Sequence, residues 1–260
     1  MRVAMFVTCV NDAMFPDTGK ATMAILRRLG VDVEFPLEQS CCGQPHYNSG
    51  YQDEALPLLR RFVRAFGDVD LIVSPSGSCV SMVHEYYPSL AAKSGDPALQ
   101  ADVEAIVPRT LELSQMLVDR LGVIDVGAHF PHTVTYHPAC HGLRMLDLGD
   151  RYPRLLTAVD GLELLDLPDA QECCGFGGTF ALKNADTSAA MVTTKVDNIL
   201  DSGAHVFTTS DNSCLLNIGG ALVRRTEAVR FMHVAEILAT TKAGGDDWRR
   251  TLPALATAHA

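Results

Sequence analysis

No uninterrupted apolar stretch in this sequence reaches the roughly 18 residues that a membrane-crossing helix needs. The opening residues, Met1-Arg-Val-Ala-Met-Phe-Val-Thr-Cys9, hold an apolar run too short for a secretion signal with its cleavage site. These two absences predict a cytoplasmic protein with no transmembrane segment. Lys and Arg nowhere cluster, and the formal net charge is −10, which excludes a general nucleic-acid binder. No strand-linked G-x-G-x-x-G is followed by an acidic residue about 20 positions on, and no G-x-x-x-x-G-K-[ST] occurs, so nicotinamide and nucleotide binding are not expected. C-x-x-C is also missing, which removes the usual knuckle of a zinc site and the usual ferredoxin-type segment.

What the chain does have is eight cysteines in two matching quartets: Cys9, Cys41, Cys42, Cys79 and Cys140, Cys173, Cys174, Cys214. The first cysteine precedes the vicinal pair by 32 and 33 residues, and the pair precedes the last cysteine by 37 and 40. A reducing cytosol argues against structural disulfides and moves the thiols toward metal binding or catalysis. Thiolates gathered four at a time suit a soft metal or an iron–sulfur cluster.

The repeat extends beyond the cysteines. Val3–Thr8 and Thr133–Ala139 are strand-like runs leading into Cys9 and Cys140. Helical patterns over 18–29 and 152–159 follow, then strands over 31–35 and 162–167, then Cys41-Cys42-Gly43 and Cys173-Cys174-Gly175. Helices are predicted over 52–65 and 185–200, with buried strands over 70–75 and 205–210 ending just before Cys79 and Cys214. Segments 110–117 and 232–238 read as amphipathic helices closing each half. Alternation of this kind predicts an α/β protein of two duplicated lobes, each a small, mostly parallel sheet with flanking helices. The first lobe is assigned to residues 1–124 and the second to 132–242. Gly122, Gly127 and Pro131 break the chain between them, and 243–260 is a C-terminal tail.

Every cysteine follows a predicted strand, and functional groups in open parallel sheets gather outside the strands' carboxyl ends, so one site per lobe is expected. Gly43 and Gly175 after the pairs permit backbone angles that a side chain resists. An isolated glycine would be an ordinary turn; beside paired thiols, twice, a tight loop around an inorganic core is the better account.

These residues carry a resemblance. Cys, about thirty residues, Cys-Cys-Gly, about thirty-five residues, Cys, present twice over residues 2–240, resembles the cysteine-rich CCG domain. That domain occurs in heterodisulfide reductase, in the iron–sulfur subunits of glycolate oxidase and anaerobic glycerol-3-phosphate dehydrogenase, and in lactate-utilisation iron–sulfur proteins. With two repeats and no added ferredoxin segment, the chain looks most like the last group. The resemblance implies a non-autonomous redox subunit of a complex that oxidises L-lactate to pyruvate, with all eight cysteines holding one or two iron–sulfur clusters. Its partners would be the other subunits. A glycolate or heterodisulfide complex is the alternative within the family.

In heterodisulfide reductase the last cysteine belongs to a C-x-x-C pair, and the resulting five thiols support noncubane clusters. Here the extra position is Ser76 in one half and Asp211 in the other. That departure moves the expectation to ordinary [4Fe–4S] clusters. Asp211 and Ser76 are candidates either for oxygen contacts to the metal or for helix N-caps. Zinc in one lobe, within a scaffold protein, is the main competing metal. A labile disulfide at the vicinal pairs is a third option, though eight matched thiols exceed what a switch requires.

Among neighbours, His141 directly follows Cys140 and is weighed equally as a hydrogen-bond partner of a cluster and as a surface histidine. His137 reads as structural, His46 as a weaker first-lobe counterpart of His141, and His233 as a packing or capping residue. Phe176, Tyr47, Phe180 and Met82 are core residues placed to shield the sites, and Arg144 pairs with a local carboxylate or steers an anion.

Overall fold

The computed structural model describes residues 2–225 and 228–245. The first lobe's strands are β1 (Val3–Met5), β2 (Val33–Glu34), β3 (Leu71–Ser74) and β4 (Thr110–Glu112), in the order β2-β1-β3-β4. The second repeats this with β5 (Thr133–His137), β6 (Glu163–Leu165), β7 (Val206–Thr209) and β8 (Arg230–His233), in the order β6-β5-β7-β8. All pairings are parallel, with Val3 beside Leu71 and Val134 beside Val206. Helices cover the sheets on both faces, which is why every residue of β3 and β7 is buried and both read as continuous runs with no polar face.

The expected helices Pro16–Arg28, Gln52–Phe66, Arg151–Thr157 and Ala185–Asp201 are all present. The segments expected to close each half as helices are corrected. Each opens as a strand, β4 or β8, and turns helical only afterwards, at Gln115–Arg120 and Val234–Ala239. A three- or four-residue strand running almost directly into a helix blends periods of two and 3.6, and the apolar spacing then imitates one longer helix. The first lobe also inserts Tyr87–Ser94 and Pro97–Ile106 before β4. The expected tail lies outside the described residues from 246 onward.

The largest apolar core lies between the lobes and draws on both. Met5, Ile25 and Leu117 meet Tyr152, Leu156 and Ile237 there, all at most 2% exposed. The helix that closes the second lobe docks on a helix of the first: Val234–Ala239 packs on Pro16–Arg28, where the Arg28 guanidinium donates to the carbonyl of Ala239. At the corresponding place in the other direction, Arg151 pairs with Asp119 at 2.8 Å. The connecting stretch is part of this packing, since Phe130 is fully buried and its N–H donates to Asp160 O at 2.9 Å. Separate cores back the outer faces, one around Phe6, Phe62 and Phe66, the other around Val196, Ile199 and Phe207.

Glu112, at the end of β4, is fully buried within this interface. Its carboxylate accepts from Ser114 N–H at 2.7 Å, from the Ser114 hydroxyl and from the Tyr152 hydroxyl of the other lobe. Burial nevertheless pushes its pKa up to about 7 from 4.5, the hydrogen bonds offsetting only part of the desolvation. A carboxyl that binds its proton more tightly when folded gives its full stabilisation below the unfolded value and loses it as pH rises through the folded one. The urea midpoint of the metal-free protein should therefore fall from about pH 5 to about pH 8, and Glu112→Gln should flatten that fall. An unchanged slope in the variant contradicts this account.

Candidate metal centre

Each lobe presents its thiols from the same three places. Cys9 and Cys140 open the short helices Cys9–Met14 and Cys140–Arg144, which follow β1 and β5. Cys79 and Cys214 lie in the first turn of the helices after β3 and β7, Gly77–Ser81 and Asn212–Arg225. The vicinal pairs occupy the loops after β2 and β6. These are the carboxyl ends of parallel strands, where loops converge. The strand ends of both lobes open onto one cavity of about 190 Å³, and all eight cysteines line it. One site per lobe was expected; the structure makes the two quartets facing walls of a single chamber. All eight are free thiols, with Cys42, Cys79, Cys174 and Cys214 buried and Cys9 exposed.

The pair loops are built alike. Gly43 and Gly175 have φ of 87° and 82°, the left-handed region that favours glycine. A Cβ on Gly175 would also stand 2.9 Å from Ser188 O. These turns aim the Gly43 and Gly175 N–H groups at the Cys41 and Cys173 sulfurs, each at 3.4 Å. The carbonyl of the second cysteine is pinned in both loops, Cys42 O by the Tyr87 hydroxyl at 3.0 Å and Cys174 O by Asn217 Nδ2 at 2.8 Å. Ser188 Oγ adds a bond to Gly175 O at 2.8 Å. Tyr87, Asn217 and Ser188 are site residues that sequence reasoning missed, because each looks like an ordinary helix residue until its partner carbonyl is known.

Negative charge concentrates on the first cysteine of each pair. Hydrogen bonds from Cys42 and then Cys9 bring Cys41 down to about 2, and bonds from Cys140 and then Cys174 do the same for Cys173. The thiols facing those anions are pushed up: Cys9 and Cys42 chiefly by Cys41, Cys140 and Cys174 chiefly by Cys173. Cys214 is lowered to about 7, first by Cys174 and then by His137. Crowded sulfurs that keep protons to avoid mutual repulsion are sites where a cation replaces those protons.

The donor set fits a soft metal or an iron–sulfur group. Cys9 and Cys41 sulfurs stand 3.5 Å apart, and those of Cys42 and Cys79 stand 3.3 Å apart. Two thiolates on a tetrahedral zinc with 2.3 Å bonds stand about 3.8 Å apart, so a single ion needs a small spreading of these pairs. A four-iron cluster needs more, beside a cavity of about 190 Å³ that all eight cysteines line.

Asp211 and Ser76, the positions of the missing fifth thiol, meet across the join of the lobes. Asp211 is 1% exposed; its Oδ1 accepts from Ser213 N–H at 3.0 Å, and its Oδ2 accepts from Ser78 N–H at 2.8 Å and from the Ser76 hydroxyl at 3.4 Å. One carboxylate thus caps the first turns of two helices, one from each lobe. Ser76 Oγ also accepts from Cys79 N–H at 3.4 Å. Capping therefore accounts for both side chains.

His141 lines the cavity, and its Nε2 accepts from Gln44 of the first lobe at 3.3 Å. Phe176 lines it too, whereas His46, Tyr47, Phe180 and Met82 lie outside its wall. Tyr47 stacks on Tyr86, Met82 is in the first lobe's outer core, and Arg144 donates to Gln171 O. His233 caps its helix, accepting from Ala235 N–H at 3.1 Å. His137 lies behind the wall, fully buried and bonded through Nδ1 to Ala170 O at 3.0 Å, as a structural histidine would be, and one of its ring nitrogens lies within 4.8 Å of both the Cys174 and Cys214 sulfurs.

Asp211→Ala removes caps from two helices and should lower the unfolding free energy by roughly 1–3 kcal/mol, with the bound-metal stoichiometry unchanged. Denaturant titration and metal analysis on one preparation check this. Loss of metal at unchanged stability would instead make Asp211 a ligand.

Comparison with known proteins agrees with this arrangement. The model of the cysteine-rich domain named CCG matches residues 3–84 and again 134–219. A protein of Exiguobacterium sp. named "Lactate utilization protein A" is 48% identical over 238 residues, covering 91% of this chain and 96% of its own. Its namesake from Oceanobacillus iheyensis is 43% identical over 245 residues, covering 94% and 99%. Among solved structures, an aspartate racemase homologue from Pyrococcus horikoshii aligns over 91% of this chain and 94% of its own, at 10% identity and a TM-score of 0.33, too low to bear on the fold. With two copies of the domain and relatives this similar over nearly their whole length, the chain belongs to the cysteine-rich CCG domain family, alongside the proteins named Lactate utilization protein A.

Proposed function

We propose that this chain is the iron–sulfur electron-transfer subunit of a complex that oxidises L-lactate to pyruvate. The observation that carries the proposal is the convergence of eight free thiols on one cavity, in a chain whose relatives are named for lactate utilisation. Cys9, Cys41, Cys42 and Cys79 would hold one [4Fe–4S] cluster, and Cys140, Cys173, Cys174 and Cys214 the other. A bound cluster supplies a one-electron carrier. The amides of Gly43 and Gly175 donate to thiolate sulfurs, and such bonds help set the potential. Phe176 and the buried cysteine pairs limit water at the cavity wall. Abstraction of hydrogen from the hydroxy acid is assigned to partner subunits. Among the described residues no helix is long and apolar enough to cross a membrane, so the proposed complex need not be anchored by this chain.

One observation favours a second reading, a zinc-stabilised scaffold: the close sulfur pairs are nearer to single-ion spacing than to the corners of a four-iron cluster. Anaerobic purification decides between them. The protein should be brown, with iron and labile sulfide at about four each per loaded site, and Cys174→Ser should lose the second site's share. L-lactate should bleach it only when the partner subunits are added. Colourless protein containing zinc would overturn the electron-transfer function.

A further inference from the structure

The two quartets repeat each other, but the residues behind them do not. Phe6 and His137 stand at the same point of the repeat, each three residues before the first cysteine of its quartet, Phe6 directly after β1 and His137 at the end of β5, both inner strands of their sheets. Phe62 and Lys195 are likewise equivalent, each seven residues beyond the helix residue that packs on the loop glycine, Ala55 on Gly43 and Ser188 on Gly175. In the first lobe the two positions form an edge-to-face ring pair with centroids 5.0 Å apart. In the second they are a buried imidazole and a buried ammonium. Both bind one carbonyl, Ala170 O, at 3.0 Å from His137 Nδ1 and 3.4 Å from Lys195 Nζ.

That shared carbonyl fixes the state of the imidazole. A carbonyl only accepts, so Nδ1 carries the hydrogen, and in the neutral ring Nε2 is left with a lone pair. Nε2 is buried and has no nitrogen or oxygen partner. One ring nitrogen of His137 and the Cys174 and Cys214 sulfurs are the one set of three buried potential ligands brought within 4.8 Å among the described residues, and with Nδ1 committed to the carbonyl, Nε2 is the nitrogen free to turn to sulfur. The neighbours left to this nitrogen are thiols, which are weak donors and, once deprotonated, metal ligands, and a ring oriented by a bond from its other nitrogen to a backbone carbonyl is the usual arrangement of a metal-ligating histidine. Lys195 places a positive charge behind the same loop and helps hold the carbonyl that orients the ring.

We propose that the second site is a mixed sulfur–nitrogen site in which His137 Nε2 binds the metal beside Cys174 and Cys214, whereas the first site, backed by Phe6, is all sulfur. This deepens the metal-binding reading and rests on it. With His137 among four ligands, one of the second quartet's cysteines assigned above is left unbound; a neutral nitrogen donor in place of an anionic sulfur raises the potential of an iron–sulfur centre, so the two walls of the cavity would carry centres of unequal potential. His137 is the ligand; Lys195 is a positioning residue that acts through Ala170 O.

The test uses the full chain, loaded anaerobically with iron and sulfide, grown with either ¹⁴N- or ¹⁵N-histidine and examined reduced by pulsed electron paramagnetic resonance. A directly bound histidine nitrogen should appear, change with the isotope, and vanish in His137→Phe while persisting in His141→Phe. Absence of any isotope-sensitive coupling in the wild-type chain overturns the proposal whether or not His137→Phe folds. So does a coupling that disappears only in His141→Phe. If the chain takes up zinc and no iron, the electron-transfer function fails, and the ligand assignment is read separately at the zinc X-ray absorption edge. There a nitrogen scatterer lost in His137→Phe supports the assignment, and sulfur alone in the wild-type chain overturns it.

Discussion

A single buried carboxylate joins the lobes at the point where the repeat meets itself. Asp211 receives N–H groups from Ser213 of its own lobe and Ser78 of the other, and its repeat counterpart, Ser76, donates to it. Two aspartates facing each other here would repel, and two serines would lack the charge that both helix starts attract. The same compromise recurs one residue on. Gly77 packs backbone to backbone against Gly142, whereas the equivalent pair, Asn212 and Asn11, meets through a hydrogen bond from Asn212 Nδ2 to Asn11 Oδ1 at 2.9 Å.

That closure determines what the thiols see. Because the first turns carrying Cys79 and Cys214 are capped by one group, the two quartets cannot separate without breaking buried hydrogen bonds. The packing of Val234–Ala239 on Pro16–Arg28 and the buried Glu112–Tyr152 contact reinforce the same orientation. The thiols are therefore held close together, with Cys9, Cys42, Cys140 and Cys174 keeping their protons, and a bound cation would replace those protons and couple metal binding to folding.

Much of this was legible in the cysteine spacing. It gave the duplication, the strand-end placement of every thiol and the glycine turns, because thiol pairs and left-handed turns are local requirements. The facing of the two quartets was not legible. It is set by residues such as Tyr152, Leu156 and Ile237, which look like any other core residues until the lobes are docked. β4 and β8 were hidden by brevity and by the helices that follow them at once. Asp211 was readable as a cap, but its second helix lies across the join. His137 read as structural, and its nearness to the Cys174 and Cys214 sulfurs could not be read at all, because it depends on how the end of β5 meets loops distant in sequence.

Both quartets are expected to load and to face each other across one cavity. Electron paramagnetic resonance of the fully reduced, anaerobic chain tests this most directly, read against Cys42→Ser and Cys174→Ser, each loaded at one site only. Two centres lining the same chamber should show a spin-coupled, broadened spectrum that sharpens in either variant. A wild-type spectrum equal to the sum of the two variants, or identical to one of them, would contradict it.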